Sequence, residues 1–198
     1  MSNNPLLEVR KAYRLLFDYQ SRILDLMKYI GQTYEIPFVK GDPKFSGRGQ
    51  NKLDNWSWDW LYMYYYSFHF SNGAKKTEDK LHLSVFLLND SGFFDAKLED
   101  TSIKRTDVEN FKSVENSNSK LIFVAGIKEW DWWNKTEILG TDFTTKETGE
   151  SDDNNMVWKS YDLNLFFTEE SALSQLQNFS NYCVQRNITI TIEDKTVK

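Results

Sequence analysis

His69 and His82 are the only histidines in 198 residues, and they open the triplets His69-Phe70-Ser71 and His82-Leu83-Ser84. Between them residues 71–80 are polar, with the composition of a hairpin tip. If that tip is a symmetric loop, Phe70 pairs with Leu81, His69 falls opposite His82, and Ser67 falls opposite Ser84. Cross-strand partners hold their Cβ atoms ~4.5–5.5 Å apart. Two imidazoles that close could serve as acid and base, with Ser84 beside them, or could begin a metal site. A two-residue Asn72-Gly73 turn would instead set His69 against Lys76 and dissolve the pair. The chemistry therefore hangs on strand register.

The two triplets resemble the His-x-Ser/Thr repeats of two-histidine phosphoesterases, which implies a phosphoester substrate for His69 and His82. That family draws its repeats from separate lobes, whereas thirteen residues separate these, and Asn72 stands where an apolar residue is expected. The resemblance assigns no family.

A second set of candidates suits binding. Residues 36–55 hold Pro37, Pro43, Gly41, Gly47 and Gly49 together with Lys44 and Arg48, and read as a mobile loop able to close over an anion. The loop lacks the Gly-Lys-Ser/Thr ending of a P-loop. Trp130, Trp132 and Trp133 could present a flat apolar surface to a ligand or a protein, since Trp is enriched at interface hot spots. Glu78-Asp79-Lys80 matches half of a nuclease motif but lies at the hairpin tip. Cys183 falls on the apolar side of a helix and reads as packing.

Composition limits the classes. One cysteine excludes an internal disulfide and suits a reducing compartment, here the cytoplasm. One Cys and two His cannot make a Cys/His zinc site, and no metal or cofactor is expected. The net charge of −5 argues against a duplex nucleic-acid binder, which needs a clustered positive surface. No membrane span and no secretion signal are expected. Seven Trp, ten Tyr and fourteen Phe are enough to dominate a core or an interface.

The elements that must position these residues follow from periodicity. Residues 5–35 read as one long helix opened by Pro5, with Ala12, Leu16, Tyr19, Ile23, Leu26 and Ile30 on one stripe and Val9, Tyr13, Met27 and Tyr34 beside it. Such a helix suits the face of a sheet, and a coiled-coil partner is the alternative. From Trp56 to Phe70 every second residue is aromatic, the mark of a strand. Residues 81–89 return as its partner. Phe93 and Phe94 start a short strand, and residues 106–114 a short helix. Residues 120–127 are a buried strand, 141–155 an acidic mobile loop, and 156–167 another strand. A helix opened by Thr168 runs to about Arg186 and ends at Asn187, before a last strand through Ile188, Ile190 and Ile192.

The whole is one α+β domain over residues 1–198, an antiparallel or mixed sheet of about five strands with the two helices packed on one face. The first functional expectation is a non-enzymatic protein-interaction protein. Its acidic charge and small size give it the general character of toxin-neutralising immunity proteins. A protein partner is expected, and a homodimer is open. The alternatives are a sensor of an anionic or aromatic ligand built on Lys44, Arg48 and the Trp cluster, and a hydrolase built on His69, His82 and Ser84.

Overall fold

The structure is a computed structural model and describes residues 4–43, 64–76, 80–104, 107–127, 146–151 and 155–192. Helix α1 spans Pro5–Thr33. Asn4 caps it by accepting the Leu6 N–H at 3.1 Å, and Pro5 stands in the first turn, where its missing N–H costs nothing. Glu35 takes a left-handed φ of 55°, and the chain leaves the helix there.

Among the described residues, six strands form one antiparallel sheet in the order β1-β2-β3-β4-β6-β5. They are β1 (Phe38–Pro43), β2 (Tyr65–Ser71), β3 (Leu81–Leu88), β4 (Lys120–Ile127), β5 (Thr148–Glu150) and β6 (Met156–Asp162). The α+β class, the β2–β3 hairpin and the buried strand at 120–127 are as the periodicity indicated.

Several elements differ from the sequence expectation. β1 occupies the start of the segment read as a loop, because a sheet edge tolerates its Gly41 and Pro43. Gly92–Glu99 is helix α2 rather than a strand at Phe93 and Phe94. Asp90 accepts the Gly92 N–H at 2.8 Å, and the Ser91 hydroxyl donates to the Asp95 carboxylate, so the turn residues start a helix. Two 3-10 turns, Val108–Asn110 and Val114–Asn116, stand in place of the short helix. β5 lies in the expected acidic loop. The strand expected to reach 167 stops at Asp162 and tightens into a 3-10 turn, Leu163–Phe166. Ile188 and Ile190 are buried but belong to no strand.

Helix α3 (Glu169–Val184) opens where Thr168 accepts the Ser171 N–H at 3.2 Å, and it is followed by Asn187 at φ 61°. α1 and α3 share one sheet face. There Ile23, Met27, Ile30, Leu176 and Phe179 pack on Phe68, Leu83, Val85, Leu121 and Phe123. Tyr34 ties the two helices together by donating its hydroxyl to the Leu176 carbonyl at 2.7 Å. Burial pushes the Tyr34 hydroxyl well above the ordinary tyrosine range. The second face carries a smaller core, in which Phe93 and Phe94 of α2 meet Tyr65, Phe86, Leu88, Ile122 and Trp158.

Candidate functional site

The β2–β3 register decides the histidine hypothesis. His69 lies opposite Ser84, and His82 opposite Ser71. The expected His69–His82 cross-strand pair is therefore corrected by two residues. Asn72 is the cause. Its N–H donates to the Leu81 carbonyl at 3.2 Å, and its side-chain oxygen accepts the N–H groups of Leu81 at 3.1 Å and Ala74 at 3.2 Å. Gly73, at φ 66°, then turns the chain. Asn72 thus closes the ladder, whose last pair is Ser71 with His82. A shift of two keeps every side chain on its expected face, whereas a shift of one would have exchanged the faces.

His69 is the centre of a polar cluster on the second face. Its Nδ1 lies 2.7 Å from Ser84 Oγ and its Nε2 3.0 Å from Ser67 Oγ. Ser67 donates its hydroxyl to the Asp42 carbonyl at 3.1 Å. Ser67 Oγ must then accept from His69, which puts the ring proton on Nε2 and leaves Nδ1 to accept the Ser84 hydroxyl. Asp42 Oδ2 stands 3.8 Å from Nε2 and 3.2 Å from Lys40 Nζ. A serine hydroxyl donating to an imidazole is the arrangement of an activated nucleophile. Burial opposes that use. His69 is 2% exposed and Ser84 1%. The cluster joins β1, β2 and β3 at one corner of the sheet, where the side chains of Ser67, His69 and Ser84 find hydrogen-bond partners and, among the described residues, Asp42 Oδ2 accepts no hydrogen bond.

His82 lies on the same face, nearer the tip, and is half-buried. Desolvation, helped by the Lys80 charge, lowers its pKa from the ordinary histidine value. Cys183 is wholly buried, and burial pushes its thiol up to about 12, which suits packing rather than nucleophilic attack. The binding candidates Lys44, Arg48, Trp130, Trp132 and Trp133 lie outside the described residues. Among the described residues, no three His, Cys, Asp or Glu side chains converge to hold a metal.

The feature that sequence reasoning missed is on α1. Its second half is held by the core through Ile23, Met27, Ile30 and Tyr34. Its first half is not. Leu6, Tyr13 and Phe17 are 65%, 71% and 69% exposed, and Val9, Leu16 and Leu24 are about half exposed. The wide apolar stripe expected to lie across the sheet therefore leaves the sheet midway. The available signal was a second stripe, Leu6, Tyr13, Phe17 and Leu24, at spacings of seven, four and seven.

Among the described residues, two cavities border α1. One, of about 430 Å³, lies between α1 and β1, with Phe68, Phe70 and Met27 among its lining and Leu24 and Phe38 exposed at its rim. Gly31 lets Phe70 approach the helix, since a Cβ there would meet the ring Cε1 at 2.9 Å. The other, of about 640 Å³, runs between α1 and the start of α3, past Tyr19, Arg22, Leu26 and Phe166. The Tyr19 hydroxyl donates to Asn89 Oδ1 and is pushed by burial up to about 12. Neither cavity is lined by His69, Ser84 or His82. Among the described residues no helix is long and apolar enough to cross a membrane.

This α+β chain, with a half-free amphipathic helix, belongs to the PM0109 family, whose family model matches residues 2–188. No curated protein and no solved structure matches it.

Proposed function

We propose that the protein is a non-catalytic protein-binding protein that docks its partner on the first half of α1. The observation that carries this is the run of exposed large apolar side chains from Leu6 to Phe17 on a capped helix whose other half is fixed in the core. Contiguous exposed apolar surface of this kind is a mark of interaction sites, whereas single exposed apolar residues are not. Its Tyr and Phe suit a hot spot. A cytoplasmic setting agrees with the single buried thiol of Cys183.

The test is a photo-crosslinking residue placed at position 13 in the chain expressed in its own cells, with position 11 as control. Lys11 stands on the polar side and pairs with Glu8 at 2.9 Å. A protein adduct from position 13 and none from position 11 is the expected result. No adduct from either overturns the reading.

The small-ligand reading has one observation in its favour, the apolar cavity of about 430 Å³, a volume within the range of ligand pockets. Its lining suits an aromatic rather than an anionic ligand. Binding of such a ligand should quench on filling the cavity with Leu24→Trp. The hydrolase reading rests on the Ser84–His69 contact and needs the sheet corner to open before a substrate reaches Ser84.

A further inference from the structure

We propose that the occupant of the free α1 face is a second copy of this chain, packed as an antiparallel two-fold dimer; this rests on the reading above that the face docks protein. The stripe Leu6, Tyr13, Phe17 and Leu24 returns to one side of the helix at 3.6 residues per turn. It is also its own mirror in sequence. An antiparallel two-fold axis level with Leu15 sets Leu6 opposite Leu24 and Tyr13 opposite Phe17, and each pair occurs twice. A closed C2 interface demands this self-complementarity. In the same register Arg10 faces Gln20, and Arg14 and Asp18 come within a turn of each other with opposite charge. Parallel pairing fails on the same residues, because it would stack the like-charged Arg10 and Arg14 of the two copies and drive the two sheets together at Ile23, whose side chain already packs on its own core.

Area supports the same occupant. An aromatic side chain presents ~150–250 Å² in full, and Tyr13 and Phe17 keep 71% and 69% of their surface exposed. With Leu6, Val9, Leu16 and Leu24 the free face amounts to roughly 600 Å² per copy, so two copies bury roughly 1,200 Å², the lower bound of a specific stable interface. The end of the stripe is shaped to receive the second copy. Leu24 stands at the rim of the cavity of about 430 Å³ between α1 and β1, so the second copy's Leu6 sits at the mouth of that cavity.

The experiment is sedimentation velocity on the purified full-length chain over a hundredfold concentration range, with Tyr13→Glu and Phe17→Glu. Both positions are exposed in the single chain, so neither variant disturbs its fold. The wild type should move from the 23.4 kDa chain mass to twice that mass as concentration rises, and either variant should weaken association at least tenfold. Orientation is read by oxidising a mixture of Arg10→Cys and Gln20→Cys chains. Disulfide-linked heterodimers are expected, and homodimeric links alone would overturn the antiparallel arrangement. A wild type that stays at the chain mass throughout overturns the proposal. If position 13 then still crosslinks a different protein in cells, the docking reading stands and only the second copy is excluded.

Discussion

The two halves of α1 share one amphipathic pattern and meet opposite fates. In the second half Ile23, Met27, Ile30 and Tyr34 lie against Phe68, Phe70 and Leu176, and they are buried. From Leu6 to Phe17 residues of the same types face outward. Helix propensity cannot account for the difference, because isolated helices shorter than ~12–15 residues are marginal in water. The first half forms because it is continuous with an anchored second half and carries its own Asn4 cap. Apolar periodicity thus states that a face will be covered and is silent on whether the cover comes from the same chain.

Substitutions that separate the two halves should give the largest effects. Ile30→Ala, in the core, should cost about 2–5 kcal/mol in urea unfolding, whereas Tyr13→Ala should stay within about 0.5 kcal/mol at concentrations where the chain is alone. Comparable losses at both positions would erase the distinction. His69→Ala comes next. It strands the Ser84 hydroxyl in the sheet corner and leaves the Ser67 hydroxyl only its bond to the Asp42 carbonyl, and should cost about 1–3 kcal/mol. If it instead abolishes a measurable esterase activity without loss of stability, the corner is catalytic. Removing the α3 cap by Thr168→Ala should cost about 1 kcal/mol without altering association.

The smallest effect is a dependence on pH. His82 has a folded pKa below its unfolded value, so the unfolded chain binds the proton more readily. Stability is then complete above the unfolded pKa of ~6.5 and falls as the pH drops through it toward the folded value. His82→Gln should flatten that fall. Solvent screening at a half-exposed ring keeps it small.

Long elements with one strong period were legible in the sequence. α1, β4 and α3 lie within two residues of their expected bounds, and the shared face of α1 and α3 followed from the alternation in β2 and β3. Elements whose signal is weak were not. β1 is an edge strand with Gly41 and Pro43, and α2 hides behind Phe93-Phe94, whose pairing mimics a strand while Asp90 and Ser91 form the start of a helix. The face of the histidines could be read and their partners could not, since one side chain, Asn72, decides the ladder's end. The spacing of Leu6, Tyr13, Phe17 and Leu24 marks a second apolar stripe on α1 and does not say which chain covers it.

Amide hydrogen exchange along α1, at dilute and concentrated protein, separates the anchored half of the helix from the docking half. Residues 23–33 should be protected at both concentrations, and residues 6–18 only at the higher one. Equally fast exchange of residues 6–18 at both concentrations excludes a second copy on this face, and equal protection at both excludes a free first half.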